Sequence, residues 1–481
     1  MKFLIFSLNF NFQLLIMYLK KNEFRLRRLL FPIGIFAATQ FMSCKTDDAV
    51  EDLLNDNSNV QKEQKEEPSL NYRALFSTHH TIGEEEAKEL ALDASSLFSR
   101  DGNGLRSGRM RQICDVRVLH SEETTLRSGS GEEVHVPDTL AYVCNFADSA
   151  GFAIICADDR VGCPILAYVG EGTLGDEVDN PGLAMVLSNM EDYLIGSIQQ
   201  FETGKDSLRQ EAESQLKNDI TCLKRVYTGK YDLISEESVA PLMYTKWGQS
   251  PSPYNTYMPF CASKGENMPA GCVAIATAQI MAYYEYPKSL DGYTFDWKGM
   301  KASQHGYDSD VTPQNKTSIA RLIQLIGKYV GMSYGCEGSG ANVEVAVQWL
   351  KLYGGYQAYT PNYAWEHVKV SLDGNAPVMM SGFGKETKKK ILGITVKTSH
   401  SDGHAWVADG YKTTTIKNYS YEVNLDTGTT TTKYLSTSYS NIFLSINWGW
   451  NSGNDGYYAW GCFNPGDSNY KYKQQIHIVR R

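Results

Sequence analysis

Apolar positions along the chain change their period from segment to segment. In EEEAKELALDASSLFS they recur at helical spacing, which predicts an amphipathic helix. The stretch AYVCNFADSAGFAIICADDRVGCPILAYVGEG instead holds short apolar runs. These are interrupted from Asp148 to Gly151 and again at Ala157-Asp158-Asp159-Arg160, compositions that turn the chain between strands. A second helix-like stretch runs from Pro181 to Phe201. Helix, antiparallel strands, helix is a small α+β domain over residues 71–220. The next polar segment, with Lys224, Arg225 and Lys230, predicts an exposed linker over 221–238, the kind of segment that proteases cut.

From Val239 onward the chain becomes rich in Tyr, Trp and Gly. Between Val273 and Tyr284 every residue is apolar or small except Thr277 and Gln279, and a helix apolar on all sides belongs at the centre of a domain. SDGHAWVADGY reads as a small-residue turn entering an alternating strand, and SINWGWNSGNDGYYAW as a strand, a Gly-rich turn and an aromatic strand. The Thr-rich stretch from Lys412 to Ser440 predicts a long hairpin or surface loop.

The N-terminus changes the picture of location. Lys20, Lys21, Arg25, Arg27 and Arg28 precede an apolar run from Leu29 to Met42, too short to span a bilayer, and together they form the charged and apolar parts of an export signal. It ends in Phe41-Met42-Ser43-Cys44, which resembles a lipoprotein box with Cys44 lipidated and sets 1–44 apart as a signal peptide. Residues 45–70 are acidic, amide-rich and poor in aromatics, the composition of a disordered tether. The expected location is exported: an outer-membrane lipoprotein, at the cell surface or secreted, with a lipid anchor the one membrane contact.

In all, 481 residues with 42% hydrophobic and 21% charged side chains suffice for two or three folded domains. A net charge of -9, with signs mixed, offers no basic stripe, so nucleic acid is excluded as a partner. Ten cysteines without a CxxC pair give no zinc cage, and their scattered spacing does not read as a disulfide framework. Several fit buried small hydrophobes.

Cys272 would open the apolar helix, where unpaired N–H groups and the positive dipole end favour a thiolate, the nucleophilic form. Gly271 leaves room for a substrate backbone. A cysteine in that place is ordinarily a packing residue, so its partners decide. Among the histidines after it, His404 stands at a strand start, which holds an imidazole while leaving one edge open. Asn447 ends another strand and can fix the ring's tautomer, with Trp448 shielding that bond. Upstream, Gln249 supplies an amide that can join the Cys272 N–H in an oxyanion hole. The order Gln, Cys, His, Asn, with about 130 positions between Cys272 and His404, matches papain-like proteases, although the papain signature around the cysteine is absent.

GCVAIATAQIMAYYEYP, GHAWVADGY, INWGW and KWGQSPSPYN resemble, in order, the nucleophile, histidine, asparagine-tryptophan and glutamine segments of the streptopain family of cysteine peptidases. FADSAGFAIICADDRVGCPILAYVGEG is similar to that family's inhibitory propeptide, so the likeness runs from about residue 70 to the C-terminus. It implies an α+β chain in which a papain-like catalytic domain, 239–481, follows an α+β propeptide that blocks the cleft until removed. It also implies endopeptidase activity on protein or peptide substrates, with an apolar residue preferred at the second substrate position. Cys272 is then nucleophile, His404 base, Asn447 orienter and Gln249 oxyanion donor, with Gly403, Ser339 and Trp448 on the substrate side. No metal or organic cofactor is implied. Residues 384–401 and 412–440 look longer than the family's core requires. Two other readings remain open: an inactive papain-like scaffold on a surface-binding lipoprotein, and a papain-like acyl transferase.

Overall fold

The computed structural model describes residues 74–75, 79–99, 111–121, 125–127, 133–217, 224–226, 231–382, 390–396, 403–423, 430–463 and 474–481. The export signal, the tether, Cys44 and Lys230 lie outside these residues. Residues 68–481 form one compact unit. No helix among the described residues is long and apolar enough to cross a membrane.

The N-terminal part follows its pattern. Helix α1 (Glu84–Phe98) buries Ala87, Leu90, Ala91, Ala94 and Phe98 at helical spacing, and Glu84, Glu85 and Glu86 sit in its first turn, where the dipole favours acidic groups. It packs on strands β2 (Thr139–Phe146), β3 (Phe152–Cys156) and β4 (Ile165–Val169), which pair antiparallel, with β1 (Ile113–His120) outside β2. β3 and β4 are buried at every position, which is why their sequence is a continuous apolar run and not an alternation. The ADDR turn after β3 is tied down by charge. Arg160 pairs with Asp158 and reaches Glu202 Oε1 at 2.8 Å, while His80 Nδ1 lies 2.9 Å from Asp159.

Helix α2 (Pro181–Lys217) starts on proline, with Asn180 Oδ1 accepting the N–H groups of Gly182 and Leu183 at 2.9 and 3.2 Å as an N-cap. The helix continues beyond Phe201, where the sequence pattern placed its end. The added residues, ETGKDSLRQEAESQLK, include many strong helix formers that extend a helix without needing a core to bury against.

Helix α3 (Cys272–Tyr284) buries ten consecutive residues from Val273 to Ala282, as its all-round apolar sequence predicts. Helices α4 (Pro313–Val330) and α5 (Val343–Leu352) pack beside it, and α6 (Trp365–Asp373) lies against the C-terminal part of the sheet. The linker region is not an open coil. It supplies β5 (Lys224–Val226) and β6 (Tyr231–Val239), both antiparallel to β9 (His404–Val423). β9 outruns its other neighbour, β8 (Val378–Gly382), and β5 and β6 take up the hydrogen-bonding groups left over from residue 411 onward. The Thr-rich segment is a hairpin, β9 returning as β10 (Thr430–Asn447).

With β7 (Gln357–Tyr359), β11 (Gly456–Ala459) and β12 (Gln475–Arg480), twelve strands among the described residues make one sheet. Its main path runs β1-β2-β3-β4-β11-β10-β9-β8-β12-β7. The seam between the two domains is therefore a strand pairing: Gly456 opposite Val169, Tyr457 opposite Tyr168 and Tyr458 opposite Ala167. Phe98 of α1 covers it, stacked on Tyr457 at 4.8 Å and edge-on to Phe443 at 4.9 Å.

Cys144, Cys156, Cys163 and Cys462 are buried and free, as small hydrophobes. Cys261 and Cys336, however, form a disulfide with Cα atoms 5.5 Å apart. Their separation of 75 positions carries no local signal, since only the fold closes the gap.

Candidate functional site

Cys272 is the first residue of α3. The backbone before it needs glycine: Gly271 has φ 91°, and a Cβ there would stand 2.6 Å from Met332 Sδ and 3.1 Å from the Ser339 carbonyl. Ser339, itself buried, is thereby brought against the start of α3, its Oγ accepting the Gly335 N–H at 3.4 Å. Burial pushes the Cys272 thiol up, and the backbone N–H groups of Ala405, Val273 and Cys272 itself act in the opposite direction by favouring the thiolate. Gln249 lies alongside, its carbonyl accepting the Ala270 N–H at 2.9 Å and its side chain largely buried.

The polar exception in α3 joins the pieces. Gln279 accepts the Trp247 N–H at 3.0 Å and donates from Nε2 to Asn447 Oδ1 at 2.9 Å. Asn447 Oδ1 also accepts the Gly449 N–H at 3.0 Å, while its Nδ2 donates to the Thr245 carbonyl at 2.8 Å. A polar side chain in an otherwise apolar helix was the signal for Gln279. Thr277 is explained locally, by its hydroxyl bonding the Val273 carbonyl at 2.7 Å.

His404 opens β9, and the two-residue period of the strand decides where it points. Ala405 and Val407 pack in the core around α3, whereas Trp406 and Ala408 pack in the core shared with the N-terminal domain. His404 lies with the second set. Its ring stands 6.3 Å from those of both Trp406 and Trp448, and its Nε2–H donates to the Trp448 carbonyl at 3.0 Å. Among the described residues no hydrogen bond joins His404 to Asn447 or to Cys272. Trp448 is fully buried, with Nε1 donating to the Asn454 carbonyl at 3.0 Å and its backbone N–H to Asp455 at 2.8 Å. Asp455 in turn pairs with Lys246 at 3.0 Å. Gly403, with φ 87°, turns the chain into β9.

What covers this pair of rings comes from α2. A Cβ on Gly182 would lie 2.3 Å from Trp448 Cε3 and 2.9 Å from His404 Cδ2, so the helix start rests directly on both. Asn180 fastens it by donating to the Gly453 carbonyl at 2.9 Å. Neither residue carried a sequence signal beyond a helix start.

Buried titrating groups give the covered chain a pH dependence. Desolvation holds His404 and His477 down to about 4, from an ordinary 6.5, while it pushes Asp409 up to about 6, from 3.8. His477 sits between the Thr360 and Ser381 hydroxyls at 2.8 and 3.1 Å. Between pH 6.5 and 4 the unfolded chain binds protons that the folded histidines refuse, so each histidine removes stability as pH falls. Asp409 acts oppositely, its contribution being lost as pH rises toward 6. Two groups outweigh one, and the melting temperature of the uncut chain is expected to fall between pH 7 and pH 5. His477→Gln should flatten that slope in calorimetry; an unchanged slope would show that His477 does not titrate in this way.

Residues 247–458 match the model of the Peptidase C10 family, and residues 80–194 that of the Spi protease inhibitor. Streptopain of Streptococcus pyogenes is 26% identical over 369 residues, 67% of this chain and 74% of that one. A thiol protease/hemagglutinin of Porphyromonas gingivalis is 22% identical over 385 residues, 71% of this chain and 37% of its own length. A solved structure of a Prevotella intermedia prointerpain A fragment has a TM-score of 0.45 and 23% identity, covering 76% of this chain and 98% of that one.

Proposed function

From its membership of the streptopain family of papain-like cysteine peptidases, a cysteine protease domain behind an inhibitor-like one, we propose that this chain is the latent precursor of an endopeptidase. The observation that carries the reading is Gly182 of the N-terminal domain seated on His404 and Trp448, with the imidazole turned to the Trp448 carbonyl. A base held there is engaged with that carbonyl and not with the Cys272 thiol. Loss of the N-terminal domain uncovers the ring, which then swings toward Cys272 while Asn447 Oδ1, one residue before its present partner, accepts Nε2–H.

In the working enzyme His404 takes the Cys272 proton, and the thiolate adds to the scissile carbonyl. The oxyanion is received by the Cys272 N–H and the Gln249 amide. The imidazolium gives its proton to the leaving amine as the C–N bond breaks, and water cleaves the thioester to restore the thiol. The boundaries proposed are a propeptide over 71–220, a cut within 221–238 and a catalytic domain over 239–481. Export and lipidation at Cys44 belong to the same proposal. Casein hydrolysis and labelling of Cys272 by a vinyl sulfone are expected only after the propeptide is removed. Full activity of the uncut chain would refute latency, and failure to label after removal would refute the peptidase.

A further inference from the structure

The Cys261–Cys336 disulfide joins the two segments that flank the nucleophile. Cys261 is buried in a hairpin, Phe260–Cys261 against Glu266–Asn267, whose outgoing strand leads directly to Gly271 and Cys272. Asn255 Nδ2 donates to the Asn267 carbonyl at 3.0 Å and Asn267 Nδ2 to the Thr256 carbonyl at 3.1 Å, so this end is fixed. Cys336 lies in a loop closed at its base by reciprocal bonds between Ser333 and Gly340, at 2.9 and 3.0 Å. That loop includes Gly335, Gly338 and Ser339, and Met332 at its foot meets Gly271 from the other side. Laterally the loop is also held by Lys264 with Glu337 at 2.9 Å, an exposed pair of the kind that contributes little, and by Tyr334, which packs against the core around α3.

We propose that the Cys261–Cys336 disulfide is a specificity-determining clamp, which fixes the 333–340 loop as a wall of the substrate cleft beside Cys272. The clamp rests on the peptidase reading above. It does not touch the reacting atoms, so it acts on substrate binding and leaves the chemistry of Cys272 alone. A Gly-rich loop freed from its anchor must be ordered by each substrate it meets, which weakens binding and blurs discrimination among side chains.

The test compares the matured wild type with the matured Cys261→Ser/Cys336→Ser double variant on peptides that differ at the second substrate position. KM is expected to rise about fivefold, with kcat changed less than about twofold and discrimination between bulky and small side chains reduced. Because the variant can fail to fold, the same constants are measured on wild type treated with a phosphine. The phosphine reduces the disulfide to two thiols and takes up oxygen from water, and intact mass after alkylation counts the thiols. Unchanged KM and discrimination in reduced wild type overturn the clamp, as does a fall in kcat at constant KM. Active enzyme that labels at Cys272 keeps the peptidase reading standing in either case. Wild type that neither hydrolyses nor labels overturns both.

Discussion

Cys272→Ala in the matured enzyme is expected to lower kcat/KM for peptide hydrolysis by about 10⁴-fold or more, the size of loss seen when a covalent nucleophile is removed from a triad. Among the described residues no other free thiol is placed to replace it. Cys156, Cys163 and Cys462 are buried, each thiol pushed up by desolvation, and Cys144 is pushed up to about 12 for the same reason. Cys114 is exposed, on β1 of the N-terminal domain, which the proposed maturation would remove. The residual rate comes from the oxyanion donors and substrate binding, which the substitution leaves in place. Initial rates on a fluorogenic peptide, with the vinyl sulfone as titrant of active sites, decide the matter. A variant retaining more than a few per cent of wild-type activity would remove Cys272 from the mechanism.

The second large effect is expected at a residue outside the catalytic domain. Gly182→Val inserts a side chain where even its Cβ would lie 2.3 Å from a fully buried tryptophan ring. Neither Trp448, held at both its nitrogens, nor the capped start of α2 can yield cheaply. Overpacking of this kind costs about 1–3 kcal/mol, which corresponds to a roughly five- to 150-fold rise in the open population. The uncut variant should therefore label at Cys272 about five to 150 times faster than the uncut wild type. Labelling at the wild-type rate, in a variant whose circular dichroism is unchanged, would mean that the α2 start is not the cover.

Local patterns in the chain sufficed for α3, for the β9–β10 hairpin and for the helix–strand–helix order of the N-terminal domain, because burial on all sides, strand alternation and turn composition are short-range properties. The Gln249 carbonyl accepts the Ala270 N–H two residues before Cys272, so their segments meet, while the oxyanion role of its amide belongs to the proposal. What could not be read depends on pairing between distant segments. The period of β9 says that His404 and Trp406 share a face, yet which face meets α3 is decided by the sheet's neighbours. Asn447 was assigned to the imidazole, and in the covered chain its amide is taken by Gln279, Thr245 and Gly449 while the next carbonyl receives His404. The polar linker looked like coil because its residues are hydrophilic. Its backbone nonetheless pairs with β9, whose long edge needed partners.

In the proposed maturation, the seam where β4 pairs with β11 separates cleavage of the chain from release of the N-terminal domain. A cut between β4 and β11 breaks the chain but not the three-residue ladder, nor the contact of Phe98 with Tyr457 and Phe443. Scission turns an intramolecular pairing, with its high effective concentration, into a complex of two chains that parts on dilution. Onset of activity then follows dissociation as well as cleavage, and a concentrated preparation lags behind a dilute one. Were the N-terminal domain to leave as proposed, β11 would be a bare edge beside uncovered aromatic rings, able to take back the same strand or to pair with another copy of itself.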